Sequence, residues 1–166
     1  MTEHPRPHRP TGADVPDTPA TRAIAAAGIA HEVRVIERPR DLEDAAARLG
    51  VTPDRLCKTL VIRRAEGEHL LVVLPGSRQL DWPRLRAHLG VSRLSLPDAE
   101  AAKAATGYER GTITPFGAPP TLPVIVDASV AGAGTLTVGG GAHGVSLRLD
   151  ADDLIAATGA EVAAIT

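Results

Sequence analysis

Aromatic side chains are scarce in this chain: Trp82, Tyr108 and Phe116 are the only three in 166 residues. A core must therefore be built from Val, Leu, Ile and Ala, each large aliphatic side chain contributing roughly 1.5–3 kcal/mol on burial. No platform for stacking nucleic-acid bases is available. Cysteine is scarcer still, and Cys57 alone excludes an internal disulfide and a multi-cysteine zinc site. Charged residues, Gly or Pro interrupt every apolar run before the roughly 18 residues that a membrane span requires, and the opening MTEHPRPHRP lacks the apolar stretch of a secretory signal. The expectation is a soluble protein, with the cytoplasm as its default location and no membrane partner. An excess of charge of one sign is also missing. Eighteen basic against twenty acidic residues leave a formal net charge of −2, which excludes broad electrostatic gripping of a long nucleic acid such as DNA. A footprint limited to the end of an RNA stays open, through local cations such as Arg63, Arg64, Arg78, Arg84, Arg86 and Arg93. Scattered surface arginines are the alternative reading.

What is present fits one domain, since 43% apolar residues supply a core at this length. Residues 1–17, rich in Pro, His, Arg and Asp, read as a disordered tail, and His4 and His8 on it would make a poor metal site. The domain then runs from 18 to 166. Thr18-Pro19 carries the cap-then-proline signature of a helix that stops at Gly28, and 31–36 alternates as a strand. Asp41 caps a helix through Leu49 closed by Gly50, and Thr52-Pro53 begins a short helical turn. The runs 57–63 and 69–74 form an antiparallel hairpin about Glu66-Gly67. A helix from Asp81 to Leu89, a short strand at 93–96 and a helix over 97–105 come next. From Gly107 onward, short apolar runs at 111–114, 123–127, 135–138 and 145–149 suggest a curved, mostly antiparallel sheet with functional loops. A helix opened by Asp150 or Asp152 ends near Gly159, and 162–165 adds an edge strand. Hairpins mixed with helices favour an α+β or mixed α/β fold.

Three places hold residues suited to chemistry. Lys58 heads the apolar strand CKTLVI on the face of Leu60 and Ile62, where it either snorkels to water or sits at a pocket mouth to bind phosphate or stabilise an oxyanion. In TGYERGTITPFG, Gly107, Gly111 and Gly117 permit close backbone approach to a ligand or form a plain turn. VGGGAHG is neither a Rossmann fingerprint nor a P-loop. His143 within it is a general base, a 2′-hydroxyl contact or a solvated turn residue. Cys57 has no histidine partner in sequence, and His31, His69 and His88 lack metal-ligand spacing, so no metal or cofactor is expected.

In order, TPATRAIAAAGI, LCKTLVI, HLLVVLPGSRQLDWPRL, ATGYERGTITPFG, LPVIVDAS and VGGGAHGVSLRLDADDL resemble the YbaK/prolyl-tRNA synthetase-associated editing family across about 18–166. The resemblance implies a compact mixed α/β domain with a partly open, barrel-like sheet surrounded by helices. It also implies a free-standing aminoacyl-tRNA deacylase that removes small amino acids such as Ala, Ser, Thr or Cys, chiefly from tRNA(Pro), where one methylene of about 1–3 kcal/mol cannot give a synthetase enough discrimination. The partners implied are an aminoacylated tRNA acceptor end and a synthetase. The family's lysine falls on Lys58, which orients the terminal adenosine or the ester, while amides near Gly140 and Gly141 polarise the carbonyl and the ribose hydroxyl helps to activate water. Thr59, Gly107, Gly111, Thr112, Ile113, Thr114, Pro115, Gly139, His143 and Ser146 are the implied substrate-binding residues. Where the Cys-tRNA(Pro) deacylase branch carries tyrosine, serine and aspartate, this chain has Ile36, Gly139 and Ser146, and 112–117 reads Thr-Ile-Thr-Pro-Phe-Gly in place of Gly-Ile-Ser-Pro-Leu-Gly. These differences point from cysteine towards Ala, Ser or Thr. A non-catalytic aminoacyl-tRNA or synthetase-binding module and a small-molecule ester hydrolase are the rival readings.

Overall fold

Cap chemistry sets the helices of the computed structural model, which describes residues 7–166. Helix α1 (Pro19–Ala26) starts where the Thr18 hydroxyl accepts the Thr21 N–H, and α2 (Leu42–Leu49), α3 (Trp82–Leu89), α4 (Ala99–Thr106) and α5 (Ala151–Thr158) begin at Asp41, Asp81, Asp98 and Asp150. Each aspartate accepts a first-turn N–H that has no partner inside the helix. Gly50, Gly90, Gly107 and Gly159 end the last four in the left-handed conformation.

The strands fall into two sheets. One has the order β1 (His31–Val35), β6 (Val145–Asp150), β5 (Thr135–Gly139), all antiparallel. The other has the order β2 (Cys57–Ala65), β3 (Glu68–Pro75), β4 (Val124–Asp127), β7 (Glu161–Ala163). Its β2–β3 hairpin is antiparallel, but β3–β4 and β4–β7 are parallel, so the mostly antiparallel expectation fails for the second half. Residues 70–74 and 125–126 are buried throughout, as strands covered on both faces must be. Ile62, Leu70, Val72 and Leu74 pack with Leu85 of α3 on one face, while Val61 and Leu71 pack with Ala102 of α4 on the other. The largest cluster joins Ile24 of α1 and Leu154 of α5 to Val138, Leu147, Val73 and Val126 from both sheets.

No closed barrel forms. The sheets meet at a parallel bridge between Leu56 and Thr137, which brings the start of β2 beside β5. Two expected strands are absent. At 93–96 the pairing is reduced to one bridge, Ser95 with Arg63, and 111–114 is irregular, held inward by buried Thr112, Thr114 and Phe116. Part of the expected tail, 1–6, lies outside the described residues. Its remainder is not featureless: His8 exchanges backbone hydrogen bonds with Val35 at 2.9 and 2.8 Å, and Gly12–Asp14 form a 3₁₀ turn.

Candidate functional site

The junction of the sheets opens a cleft of about 400 Å³. Its floor comes from Leu56, from Cys57–Thr59 of β2 and from Val138 and Gly139 of β5; its walls come from the 36–42 segment, the 110–113 loop and the β5–β6 turn at Ala142–Ser146. Of the residues expected to act on substrate, Lys58, Thr59, Gly111, Ile113, Gly139, His143 and Ser146 line it. Ile36, Gly139 and Ser146, the three positions that depart from the Cys-tRNA(Pro) branch, meet here.

Lys58 is half-buried, and its Nζ donates a long 3.5 Å hydrogen bond to the Gly76 carbonyl. Among the described residues no carboxylate pairs with it. Gly76 holds this arrangement because a Cβ there would lie 2.6 Å from Leu42 Cδ2 and 2.7 Å from the Leu56 carbonyl oxygen. Register places Lys58 opposite Leu74, on the Leu60 and Ile62 face, but at the strand's first turn into the cleft the ammonium avoids the core beyond it.

Unpartnered hydroxyls are the second feature. The oxygens of Thr59, Ser146 and Thr114 are buried and make no hydrogen bond among the described residues, and the first two belong to residues of the cleft lining. A buried hydroxyl without a partner carries a penalty of about 1–3 kcal/mol, which a ligand's polar group would relieve. Thr114 is fully buried behind Gly139, where a Cβ would come 3.1 Å from the Ile113 carbonyl oxygen and 3.7 Å from Thr114 Cβ.

Several expected residues stand elsewhere. The Gly140 N–H donates to the Val145 carbonyl at 2.9 Å, closing the β5–β6 turn, so it has no proton to offer a substrate carbonyl. Gly141 packs away from the cleft, its Cβ position 2.9 Å from Tyr108 Cε1 and 3.1 Å from Thr18 Oγ1. Thr112 donates to the Glu109 carbonyl at 2.7 Å and is buried, which corrects its expected place at the pocket wall. Gly107 caps α4, and Pro115 is buried outside the lining.

The sequence pattern gives the α2 helix but not the cations that its Asp44 holds at the mouth. Arg38, Arg40 and Arg110 line the cleft beside Lys58. The Arg38–Arg40 loop is held by Asp44, whose carboxylate accepts the Arg40 N–H at 2.9 Å and Arg48 Nε at 3.0 Å. The Arg40 N–H and the Arg48 guanidinium hold that carboxyl down, from its ordinary 3.8 to about 2. The sequence signal was local: Asp44, Arg40 and Arg48 stand at i, i−4 and i+4. His143 lies half-exposed over Gly111, with Nε2 3.6 Å from Glu109 Oε2. Cys57 also lines the cleft, but burial pushes its thiol up to about 12, so it is protonated near neutrality and a poor nucleophile. Among the described residues no three of His, Cys, Asp and Glu gather as a metal site, and no helix is long and apolar enough to cross a membrane.

Known proteins share this fold. The chain resembles the hypothetical protein APE2540 (TM-score 0.82, 29% identity, 89% of this chain and 99% of the other) and the crystal structure of a candidate trans-editing enzyme for prolyl tRNA synthetase (TM-score 0.79, 26% identity, 89% and 94%). It is 27% identical over 124 residues to a candidate Cys-tRNA(Pro)/Cys-tRNA(Cys) deacylase, EbsC, of Enterococcus faecalis, covering 75% of this chain and 76% of that protein. A proline–tRNA ligase of Nitratidesulfovibrio vulgaris is 33% identical over 138 residues, 82% of this chain but 23% of the ligase, so the chain spans less than a quarter of that relative's length. The model of the aminoacyl-tRNA editing domain matches residues 37–157, a span that includes every cleft-lining residue except Ile36, and the chain belongs to that aminoacyl-tRNA editing family.

Proposed function

We propose that this chain hydrolyses, in trans, the ester of wrongly charged tRNA, with tRNA(Pro) carrying a small amino acid of the Ala, Ser, Thr or Cys class as its substrate. The observation that carries the reading is the pairing, in one cleft, of an unpaired ammonium at Lys58 with the orphaned hydroxyls of Thr59 and Ser146. An ammonium free of carboxylates suits the phosphate of a terminal nucleotide or the oxygen that becomes negative when an ester is attacked. The hydroxyls suit a polar aminoacyl group.

In the proposed reaction water adds to the ester carbonyl carbon, the bond to the ribose oxygen breaks, that oxygen takes a proton, and the free amino acid and tRNA separate. The neighbouring ribose hydroxyl relays the proton. Lys58 stabilises the developing oxyanion, as do the N–H groups of Ala142 and His143, which donate to no backbone acceptor among the described residues. His143, with Glu109 beside it, contacts the ribose. Cys57 stays a spectator because its thiol is held protonated. The apolar lining at Ile36, Leu42, Leu56 and Val145 limits size, and Gly139 leaves room that any Cβ would fill.

Deacylation measured over a panel of mischarged tRNA(Pro), tRNA(Ala) and tRNA(Thr) tests this. Release of Ala, Ser or Thr from tRNA(Pro) supports it; binding of charged tRNA with no release selects the non-catalytic module instead, and release of cysteine alone contradicts the specificity argued from Ile36, Gly139 and Ser146.

A further inference from the structure

At the far end of β2 four arginines from three stretches of chain come together with no carboxylate paired to them among the described residues. Arg63, Arg64, Arg86 and Arg93 surround an open depression of about 390 Å³ together with Ala65, Leu94 and Ser95. Among the described residues none of the four forms an ion pair with a carboxylate. In a chain of net charge −2, four adjacent guanidiniums repel one another unless an anion lies among them.

The depression is also built rather than fortuitous. Arg63 and Ser95 exchange two backbone hydrogen bonds, at 2.8 and 3.1 Å, which fix the 93–95 segment along the open edge of β2. Arg86 comes from α3, whose Leu85 is fully buried against the same sheet. Three separate stretches of chain thus bring guanidiniums to one place on a rigid support. Guanidinium forks match phosphate oxygens in pairs, and with no aromatic residue in the lining there is no surface on which a base would stack. The chemistry fits a phosphodiester backbone without sequence reading.

Position identifies which backbone. β2 is the edge strand of its sheet, with Cys57–Thr59 at the cleft and Arg63–Ala65 at the depression. Lys58 and Arg64 are six residue steps apart, about 20 Å at strand rise, a distance of several nucleotides.

We infer that Arg63, Arg64, Arg86 and Arg93 form a second, sequence-independent contact for the backbone phosphates of the substrate tRNA, gripping the acceptor end behind the nucleotide held in the cleft. The inference rests on the deacylase reading for the identity of the RNA, and it separates binding of the RNA body from chemistry at its tip.

The test uses the whole protein and two variants, R63Q/R93Q and R64Q/R86Q, each first checked for wild-type melting temperature. Binding of uncharged tRNA is followed by fluorescence anisotropy across a salt series. Each lost phosphate contact lowers the magnitude of the log Kd against log salt slope by roughly 0.7–0.9, and a double variant weakens low-salt binding about tenfold. In kinetics, KM for full-length aminoacyl-tRNA rises by a similar factor at unchanged kcat, while kcat/KM on an aminoacylated CCA oligonucleotide stays at the wild-type value. Wild-type Kd and salt slope in both variants would overturn the inference, as would equal losses on tRNA and oligonucleotide. A wild-type protein that binds tRNA but cleaves neither substrate defeats the deacylase reading instead, and the anisotropy arm still decides the arginine contact.

Discussion

Replacing Ser146 by alanine should make the protein more stable and a worse enzyme for polar substrates. Ser146 is 7% exposed and pairs in β6 between Arg34 of β1 and Gly139 of β5, so the substitution leaves the backbone ladder intact. Its hydroxyl has no partner among the described residues, and removing an orphan that costs about 1–3 kcal/mol gains about 1 kcal/mol after the lost oxygen contacts are counted. For a domain of this size that is a rise of roughly 2–4 °C in Tm. In the proposed reaction the same oxygen would meet the substrate's polar group, a hydrogen bond of about 0.5–1.5 kcal/mol, or roughly twofold to tenfold in kcat/KM. Thermal denaturation followed by circular dichroism measures the first effect; deacylation of Ser- against Ala-charged tRNA(Pro) measures the second, with the loss confined to the seryl substrate. A Tm lowered by several degrees together with equal losses on both substrates would refute the reasoning, since it would make the hydroxyl a structural group with a partner.

Four further outcomes follow from other residues. Gly144→Ala places a Cβ 2.2 Å from the Ile36 carbonyl at a φ of +76°, so overpacking and left-handed strain should together cost about 2–4 kcal/mol, read as a drop in the urea midpoint. Asp44→Asn tests acid stability. Because the folded carboxyl is depressed to about 2 from 3.8, its contribution is fully present above about pH 4 and is lost as pH falls through about 2; the wild-type excess over the variant should therefore shrink in that window, followed by urea unfolding at stepped pH. Cys57→Ala should retain deacylation within about threefold, since the thiol is held protonated, and a loss of several hundredfold would return the thiol to the mechanism. Gly139→Ala should slow seryl and threonyl release more than alanyl release, by roughly tenfold, because the new methyl enters the cleft floor 3.1 Å from the Ile113 carbonyl.

Local chemistry was legible and tertiary assembly was not. The pairs Asp41–Gly50 and Asp81–Gly90 mark their helices because a cap is satisfied within a single turn, and the 57–63 and 69–74 runs declare a hairpin because their partners are adjacent in sequence. The parallel β3–β4–β7 pairing depends on 48 residues between Pro75 and Val124 that carry no local trace of it. At 111–114 the apolar and threonine pattern mimics a strand, yet Thr112 closes a turn onto Glu109 and Tyr108 Oη donates to the Phe116 carbonyl at 2.6 Å. Lys58, Thr59 and Ser146, singled out by motif, line the cleft, and their part in chemistry is proposed. Arg38, Arg40 and Arg110 were missed because only folding brings 36–42 and 110–113 to the same rim. Gly140 was misjudged for the reason that glycine-rich turns often are: an N–H free in sequence is taken by the turn's own carbonyl, here Val145.

The proposed role of Lys58 is to stabilise the attacked ester in a cleft that hydrolyses mischarged tRNA. Its most direct test is single-turnover deacylation of Ala- and Ser-charged tRNA(Pro) by the wild type and by Lys58→Ala. Because Nζ makes a single hydrogen bond among the described residues, the long 3.5 Å one to the Gly76 carbonyl, the variant should keep the wild-type Tm within about 2 °C while its rate constant falls by about 10²–10³. A variant that is folded and still releases both amino acids at the wild-type rate would contradict the account.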